Sequence, residues 1–385
     1  MTVPTILQVL PALETGGVER GAVQIAAATV KAGWRSVVAS AGGRMVRELE
    51  RAGARHVALP LDTKNPFVIR SNIDRISRLI QAEGVSLVHA RSRAPAWSAW
   101  TAAKRLGIPF VTTFHGTYGA GNAFKRLYNA VMVRGEPTIA ISEFIARHIV
   151  ETYKVPRERL RVIPRGIDFE RFAPERMQPH RMLQLAKDWR LPDGVPVVLL
   201  PGRLTRWKGQ TVLIEALTLL KRKDIVCVLA GSEQGRTQYR EELERLVAGQ
   251  GLSGQVRIVG DCQDMPAAYM LADVVVSAST DPEGFGRVSV EAQAMGRPVI
   301  ATDHGGSRET VLPEVTGWLV PPGDAEALAT ALTDAVDLPT ETRLRLAEIA
   351  IAHVREKFDQ QKMCDSTLAV YHEALTRAAG QQSAA

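Results

Sequence analysis

The sequence predicts an α/β protein made of two doubly wound parallel-sheet domains. The first reason is length, because 385 residues exceed the roughly 250–300 residues that one compact core normally reaches. The second is that short β-branched runs alternate with longer amphipathic segments, a rhythm typical of parallel sheets covered by helices. The third is a break in this rhythm at PRGIDFERFAP, residues 164–174, after which the alternation begins again.

Composition excludes several classes of protein. Apolar residues make up 45% and charged residues 23% of the chain, a balance typical of globular proteins. No stretch approaches the ~18 apolar residues that span a bilayer, and the first residues lack the pattern of a secretion signal. Cys227, Cys262 and Cys364 include no CxxC pair, so we expect neither disulfides nor a zinc site, which fits a reducing cytosol.

The first half contains short apolar runs that we predict as buried strands, separated by helix-length segments. The predicted strands are Thr5–Leu10, Ser36–Ala41, Ser86–His89, Phe110–Thr113 and Thr138–Ile141. The predicted helices are Glu19–Lys31, Ile73–Glu83 and Ala94–Leu106. A glycine often closes a helix just before the next strand, as expected for helix ends.

After the break, a polar helix over about 176–190 leads into a second set of strands. These are Val195–Leu200, Ile225–Ala230, Val256–Val259, Val274–Ser277, Pro298–Ala301 and Gly317–Val320. Residues 340–378 read as terminal helices, with Asp359 as the N-cap of the last one. We therefore predict an N-terminal domain over 1–174, a C-terminal domain over 175–358, and a closing helix and tail over 359–385 that pack back toward the N-terminal domain. Ligands of such sheets bind beyond the carboxyl ends of the strands, which predicts a cleft between the domains.

The charge is divided unequally between the two halves. Residues 1–180 hold 26 Lys and Arg against 14 Asp and Glu, a net charge of +12, while residues 181–385 hold 22 against 27, a net charge of −5. The basic half should attract an anionic partner, whether a membrane surface, an acidic lipid or a nucleic acid. A nucleic-acid-binding protein is disfavoured, because no helix-turn-helix, zinc-finger or RRM signature occurs and the cations are not interleaved with aromatic residues.

Two positions in the first half are candidates for a binding site. Gly16 and Gly17 lie between a strand and a helix, so the backbone can approach a ligand there and the helix start favours an anion. The segment is not G-x-G-x-x-G, which disfavours a nicotinamide cofactor, and a tight turn explains the glycines equally well. His115 ends another strand in TFHG, although a lone histidine is more often structural.

The segment PGRLTRWKG in the second half places Arg203 and Lys208 in one turn between a strand and a helix. Arginine offers a planar fork and lysine a point charge, so the two can converge on a phosphate. A solvated basic turn is the alternative.

The segment DPEGFGRVSVE is the most specific pattern in the sequence. Gly284 and Gly286 open a helix, whose first N–H groups are free to bind hydroxyls or phosphate oxygens. Glu283 precedes this helix and Glu291 lies about two turns inside it, and carboxylates readily accept bonds from sugar hydroxyls. Compensation of the helix dipole would explain Glu283 but not Glu291.

Together these motifs resemble the retaining glycosyltransferases of family 4, which have the GT-B fold. The resemblance is carried by GGVER, TFHG, AISE, GRLTRWKG, Glu-x7-Glu, GRPVIATDHGGSRETV and GWLVPPGD, which run in order from residue 16 to about 324. It covers nearly the whole chain.

The resemblance implies a role for each matching residue. Gly16 and Gly17 would shape the loop that faces the donor phosphates, and His115 would lie against the donor sugar. Arg203 and Lys208 would hold the diphosphate. The remaining implied roles are a bond from Glu283 to the transferred sugar, backbone donors from Gly284, Phe285, Gly286, Arg287 and Val288, a ribose contact for Glu291, an acceptor contact for Ser142, and a base contact for Val259–Gly260.

The implied activity is retaining, metal-independent transfer of a sugar from a nucleotide-diphosphate sugar to a lipid-linked or polysaccharide acceptor, in lipopolysaccharide or surface-polysaccharide synthesis. No Asp-x-Asp motif occurs, so we expect no metal or other cofactor, and Arg203 and Lys208 would neutralise the leaving diphosphate. The basic half suits a cytoplasmic enzyme bound peripherally to the anionic inner face of the plasma membrane. We expect no nucleic-acid partner.

Two positions depart from the family pattern. Arg165 stands in Arg-Gly-Ile-Asp168, where asparagine is common, and Arg287 stands where an apolar residue is usual. Arg287 would either read an acidic sugar or form a surface pair with a neighbouring carboxylate. A nucleotide-sugar epimerase, a transferase to a soluble small acceptor and an inactive nucleotide-sugar binder remain as alternative functions.

Overall fold

A computed structural model describes residues 3–14, 16–119, 121–235 and 237–383. The chain forms two compact units: unit 1 comprises Met1–Gly166 and Gln360–Ala385, and unit 2 comprises Ile167–Asp359. Each unit is a parallel sheet with helices packed on it. The predicted α/β fold class is therefore confirmed.

Unit 1 contains, within its described residues, a seven-stranded sheet in the order β3-β2-β1-β4-β5-β6-β7 with every pair parallel. Its strands are β1 (Thr5–Val9), β2 (Arg35–Ser40), β3 (Arg55–Ala58), β4 (Leu87–Ala90), β5 (Phe110–Phe114), β6 (Thr138–Ala140) and β7 (Leu160–Val162). The order reverses at β1, so β1 and β4 lie side by side at the centre. Their carboxyl ends mark the place where loops of such sheets collect ligands.

The helices of unit 1 follow the strands in alternation. They are α1 (Gly17–Lys31), α2 (Val46–Arg51), α3 (Pro66–Glu83), α4 (Arg93–Leu106), α5 (Ala123–Asn129) and α6 (Glu143–Tyr153), and the last helix of the chain, α15 (Gln360–Ser383), joins them. Buried residues of α1 and α15 pack on one row of strand side chains, which includes Ile6, Leu87 and Val111. Helix α4 packs on α3 and on β4 and β5.

Helix α15 belongs to unit 1 because its apolar stripe completes that core. Met363, Val370 and Tyr371 are buried with the strand residues, and the Tyr371 hydroxyl lies 2.6 Å from Nδ1 of His89. On its outer side Glu373 forms an ion pair of 2.7 Å with Arg161. The C-terminal helix therefore completes the hydrophobic core of the sheet formed by the N-terminal half.

Unit 2 contains, among the residues described, a six-stranded parallel sheet in the order β10-β9-β8-β11-β12-β13. Its strands are β8 (Val197–Pro201), β9 (Val226–Ala230), β10 (Val256–Val259), β11 (Val274–Ser277), β12 (Val299–Thr302) and β13 (Gly317–Val320). Its helices are α7 (Pro179–Asp188), α8 (Gln210–Leu220), α9 (Thr237–Gly249), α10 (Met265–Leu271), α11 (Arg287–Ala294), α12 (Ser307–Thr310), α13 (Ala325–Val336) and α14 (Thr340–Lys357). One core joins β8, β9 and β11 to α8, α9 and α13.

The chain divides after Gly166 and again after Asp359, whereas the sequence predicted boundaries after residues 174 and 358. The reason lies in backbone pairing, because the N–H of Ile167 donates to the carbonyl of Phe358 at 2.7 Å and Ile167 also pairs with Asp359. These bonds join Ile167 to the end of unit 2, to which residues 167–174 belong. Helix α15 begins at Gln360, directly after the predicted N-cap residue Asp359.

A helix that spans a bilayer must be both long and apolar. None of the helices formed by the described residues meets both requirements.

Candidate active site

In unit 2, Lys208 lies in the turn between β8 and α8. A short 3-10 turn, Arg206–Lys208, precedes the helix, and the Lys208 Nζ lies 4.5 Å from the centroid of the Trp207 ring. The carbonyl of Trp207 accepts a bond of 2.7 Å from the N–H of Thr280, so the turn is fixed to the segment that follows β11. This connection brings two chain regions together that are far apart in the sequence.

The Lys208 ammonium forms an ion pair with the carboxylate of Glu283. Both side chains are largely buried, with exposed fractions of 14% and 15%. The Ser279 hydroxyl donates to the same carboxylate oxygen, Oε1, at 2.7 Å. Glu283 is thus held by two donors on one oxygen, which leaves Oε2 without a partner among the described residues and available to accept a bond from a ligand hydroxyl.

The loop after β12 contacts the backbone of Glu283. The N–H of Gly306 donates to the Glu283 carbonyl at 2.8 Å. Gly305 has a positive φ of 60°, and a Cβ atom there would lie 2.5 Å from that same carbonyl oxygen. Only glycine permits this approach without displacing the backbone. The motif DHGGS carries part of the family resemblance, but the resemblance implied no role for its glycines.

Helix α11 begins at Arg287, and Gly286 caps it with a φ of 91°. Its first N–H groups have no partner within the helix, which suits the backbone donors predicted over Gly284–Val288. The Phe285 side chain is buried and packs edge-to-face on Phe358, with ring centroids 5.3 Å apart. The helix is therefore fixed to the core at the residue that precedes its cap.

Glu291 is the fifth residue of α11, a little over one turn inside it and not two. Its side chain is buried; Oε1 forms an ion pair with Arg287, and Oε2 accepts a bond of 2.9 Å from the Tyr269 hydroxyl. Burial first and the nearby Glu291 carboxylate second raise the pKa of Tyr269 well above its usual value, so the phenol remains a donor. Arg287 therefore pairs with a neighbouring carboxylate, as the second of its two interpretations predicted.

Arg203 does not join the Lys208–Glu283 pair. It follows β8 and is exposed, and its Nη1 lies 3.5 Å from Oε1 of Gln234. Its carbonyl accepts a bond of 3.0 Å from the side chain of Gln210, the first residue of α8. Gly260 directly follows β10 at the same edge of the sheet. The predicted diphosphate residues therefore lie in one turn, but only the lysine contacts a predicted sugar residue.

In unit 1, Gly16 and Gly17 lie at the start of α1, where Gly16 is the N-cap. Arg165 is buried, and its guanidinium donates to the Gly17 carbonyl. A Cβ atom on Gly21 would collide with that guanidinium, so the first turn of α1 has a surface shaped to receive the arginine. The departure at Arg165 is therefore a structural contact between the end of β7 and the glycine loop.

His115 directly follows β5, and its Nε2 is buried without a partner among the described side chains. Burial first, and then the positive charges of Arg91 and Arg165, hold the pKa of His115 well below its usual value. The ring is neutral at pH 7, so it offers one donor and one acceptor nitrogen rather than a charge. Arg91 itself is buried after β4.

Ser142, the predicted acceptor residue, is fully buried at the start of α6. Its hydroxyl accepts a bond of 3.1 Å from the N–H of Ile145, which makes it the N-cap of that helix. This contact fits the sequence pattern of a capping serine. Its predicted contact with an acceptor stays a prediction.

Several site residues were missed by sequence reasoning. The residues that contact or surround predicted site residues, but for which the sequence predicted no role, are Ser279, Tyr269, Arg91 and the turn Gly305–Gly306. Ser279 follows a strand as part of SAST, and Tyr269 lies in an apolar helix. Within the four described stretches, no three or more His, Cys, Asp or Glu side chains are grouped as metal ligands.

The chain has two parallel-sheet units, and the second carries a lysine–glutamate pair beside a helix that begins after a glycine. These features define the class of protein as a GT-B glycosyltransferase. Family models match the two halves separately. Residues 15–171 match "Glycosyltransferase Family 4", and residues 183–353 match "Glycosyl transferases group 1". The chain belongs to this family of glycosyltransferases.

Curated relatives support the same assignment. A D-inositol 3-phosphate glycosyltransferase of Xylanimonas cellulosilytica is 31% identical over 313 residues, which cover 76% of this chain and 72% of the relative. A GDP-mannose-dependent α-(1-6)-phosphatidylinositol monomannoside mannosyltransferase of Mycolicibacterium smegmatis is 30% identical over 274 residues, 68% of this chain and 69% of the relative.

Solved structures agree with the fold. A glycosyltransferase from Rickettsia africae superposes with a TM-score of 0.89 at 38% identity, covering 97% of this chain and 99% of that one. Alr3699/HepE of Anabaena, solved in complex with UDP and glucose, has a TM-score of 0.84 at 25% identity, covering 95% and 99% of the two chains.

Proposed function

We propose that the chain is a retaining, metal-independent glycosyltransferase that moves a sugar from a nucleotide-diphosphate sugar to a lipid-linked or polysaccharide acceptor. We place it in lipopolysaccharide or surface-polysaccharide synthesis, in the cytoplasm and peripherally on the inner face of the plasma membrane. The observation that carries the proposal is the Lys208–Glu283 pair, which joins a cation and a sugar-binding carboxylate at one point of unit 2.

The proposed donor site divides its work between charge and hydrogen bonds. Lys208 would stabilise the diphosphate as negative charge develops on it, with Arg203 beside it in the same turn. Glu283 would accept a bond from a hydroxyl of the transferred sugar, and the N–H groups at the start of α11 would bind further oxygens. A nucleotide-sugar donor is also supported by the relative from Anabaena, which was solved with UDP and glucose.

The proposed reaction occurs on one face of the sugar. The bond between the anomeric carbon and the phosphate oxygen breaks, and the electron pair leaves with the nucleoside diphosphate. The acceptor hydroxyl oxygen then bonds to the anomeric carbon from the same side and passes its proton to the departing phosphate oxygen. Fixed cations reduce the cost of the leaving charge, so a bound metal is not required for this step.

Glu291 would bind the nucleotide ribose in this proposal. Its carboxylate is already bonded by Tyr269 and Arg287, so the ribose hydroxyl would share an oxygen with one of these donors or replace Arg287. Tyr269 holds the carboxylate in position from the buried side. Neutral and uronic nucleotide sugars compared in wild type and in Arg287→Ala test whether the arginine also reads an acidic sugar.

An anionic acceptor at a membrane is supported by the basic half of the chain and by an exposed apolar surface on unit 1. Phe67 at the start of α3 and Phe124 and Leu127 on α5 are 82%, 78% and 62% exposed. Lys125 and Arg126 lie between the two α5 residues. Basic residues beside exposed aromatic rings favour the interface of an anionic bilayer.

Both ends of this surface are attached to α4. The Ser98 hydroxyl donates to the carbonyl of Ile69 at 2.6 Å, and the Trp97 indole donates to the carbonyl of Tyr128 at 3.0 Å. These bonds place the beginning of α3 and the end of α5 on the same helix. The lipid-acting mannosyltransferase among the relatives also favours a lipid-linked acceptor.

A soluble phosphorylated acceptor is the second candidate. It is favoured by the relative from Xylanimonas, whose name gives D-inositol 3-phosphate as the substrate. The two acceptor classes differ in one measurable property, because only a lipid-linked acceptor requires the enzyme at a bilayer.

The experiment that tests the function is a thermal-shift panel of nucleotide sugars, nucleosides and oligonucleotides in EDTA. It is followed by product analysis with the donor that gives the largest shift. We expect one nucleotide sugar to stabilise the protein and oligonucleotides to have no effect. If oligonucleotides stabilise it and no nucleotide sugar does, the proposal is wrong.

The acceptor is tested by pelleting the protein with anionic or neutral vesicles. We expect binding to anionic vesicles only, and a loss of binding in the variant Phe124→Ser/Leu127→Ser. Arg105→Gln on α4, where Arg105 is paired with Asp74 at 2.9 Å, is the matched control and should bind as wild type does. Equal recovery with both vesicle types, together with transfer to inositol phosphate in solution, would support the soluble acceptor instead.

A further inference from the structure

A second concave region lies at the amino edge of the sheet in unit 1, opposite the edge that carries Gly16 and His115. A helix that follows a parallel strand runs back to the start of the next strand, so the ends of α4 and α6 lie at this edge. Two cavities of about 460 and 240 Å³ are found there. They share Trp100, Lys104, Arg134 and Glu136, and we name the region they form the amino-edge groove.

The amino-edge groove has a marked excess of positive charge. The larger cavity is lined by the cations Lys104, Arg134, Lys154 and Arg159 and by one carboxylate, Glu136. Arg159 pairs with Glu136 at 3.0 Å and so accounts for this carboxylate. Among the described residues the other three cations form no ion pair, which leaves a net charge of about +3 around a cavity of ligand size.

Two of these cations lie against the ring of Trp100. The Lys104 Nζ lies 5.4 Å and the Arg134 Cζ 5.3 Å from the centroid of the indole ring. The ring is itself fixed by an edge-to-face contact with Trp97, at a centroid distance of 5.9 Å. Cation–π attraction thus holds two like charges on one side chain that lines both cavities, and an anion bound in the groove would offset their positive charge.

Helix dipoles explain only part of this arrangement. Lys104 lies in the last turn of α4, and Lys154 follows the last residue of α6. A cation at such a position offsets the partial negative charge of a helix end. Arg134 is the C-cap of the 3-10 turn that continues α5, so a helix end favours its charge as well, but no helix end accounts for its position on the indole.

We propose that the amino-edge groove binds a ligand with at least two phosphate groups, by ion pairs from Lys104, Arg134 and Lys154. A diphosphate carries two to three negative charges at neutral pH, which matches the three unpaired cations. Arginine binds phosphate as a planar fork and lysine as a point charge. The diphosphate would come from a free nucleotide or from a lipid-linked diphosphate, and the site is distinct from the donor site proposed in unit 2.

Calorimetric titration of the full chain with inorganic pyrophosphate tests the proposal. Pyrophosphate should bind twice per chain in wild type, once at the donor site and once in the groove. In Lys104→Gln/Arg134→Gln we expect one of the two sites to weaken by about a hundredfold, near tenfold for each charge-assisted contact removed. In Lys208→Ala the other site should weaken instead, so the two proposals fail separately.

A control variant and a vesicle assay test the specificity of the groove and the source of its ligand. Arg105→Gln removes a neighbouring α4 cation that is paired with Asp74 outside the groove, and it should retain both sites. Pelleting with phosphatidylcholine vesicles, with or without a lipid diphosphate, identifies the source of the diphosphate. Recovery of the protein that depends on Lys104 and Arg134 and is competed by pyrophosphate indicates the lipid-linked form. Binding of free diphosphate without such recovery indicates the nucleotide. Unchanged stoichiometry and affinity in a folded Lys104→Gln/Arg134→Gln protein would overturn the proposal.

Discussion

The ion pair between Lys208 and Glu283 gives the sharpest quantitative prediction. Replacing Lys208 with alanine removes the cation and leaves Glu283, which is 15% exposed, with the Ser279 hydroxyl as its described donor. Breaking a fully buried ion pair costs about 3–5 kcal/mol, and exposed pairs contribute about 0–1 kcal/mol. For a pair that is mostly buried and retains one hydrogen bond, we expect the free energy of unfolding to fall by about 1–3 kcal/mol.

The same change should slow the reaction more than it affects folding. Removing one group that stabilises developing negative charge typically lowers turnover by about 10²–10³-fold, so Lys208→Ala should lose at least about 10²-fold in kcat. The assays are urea unfolding and initial rates with the donor found by the thermal-shift panel. Glu283→Gln and the double variant complete a cycle in which we expect a coupling energy of about 1–3 kcal/mol.

A matched control lies two residues away. Arg206 is in the same 3-10 turn, but it is 71% exposed and pairs with Glu242 at the surface. Arg206→Ala should therefore keep kcat within about twofold, since exposed pairs contribute little. Full turnover in Lys208→Ala, or an equal loss in Arg206→Ala, would refute the assignment of the diphosphate charge to Lys208.

Three further predictions concern stability and positioning. His89 is buried, and burial and the Arg91 charge hold its pKa well below the usual value. Above pH 6.5 it is neutral in the folded and the unfolded chain, but below that pH only the unfolded chain takes up the proton. The contribution of His89 to the unfolding free energy should therefore fall by up to about 1.4 kcal/mol per pH unit, and His115 should add a fall of the same sign. Urea unfolding from pH 7 to 5 should show a loss of stability as the pH falls, and His89→Gln should remove the part that His89 contributes. Gly305→Ala should lower kcat/KM by about tenfold or more by displacing the Glu283 backbone, and wild-type kinetics would contradict it. Tyr269→Phe should destabilise the fold by about 1–3 kcal/mol and raise the donor KM with little change in kcat; an unchanged KM would remove its positioning role.

The sequence predicted the elements whose residues carry a clear apolar pattern. The central strands were found to within two residues at either end, because each is buried on both faces and reads as a continuous apolar run. Strands β3, RHVA, and β7, LRV, were missed. They form the two edges of their sheet, where polar residues interrupt the run and remove the signal.

The sequence predicted which residues belong to the candidate site, but it could not predict which of their side chains contact one another. The pairing of Lys208 with Glu283 joins positions 75 residues apart, and no local pattern fixes which side chains of two turns meet. Arg203 belongs to the same motif as Lys208, yet its side chain lies on the solvent side of the turn. The burial of Arg165 against the start of α1 depends on Gly21, a helix position that has no distinctive sequence pattern.

The central claim is that fixed side chains of this chain, without a metal, support transfer with retention. The most direct measurement is the anomeric configuration of the product, by NMR, after turnover of the preferred nucleotide sugar in EDTA. Undiminished transfer with the same configuration as in the donor is the predicted result. A product of inverted configuration, or turnover that stops in EDTA and returns with a divalent cation, would contradict the account.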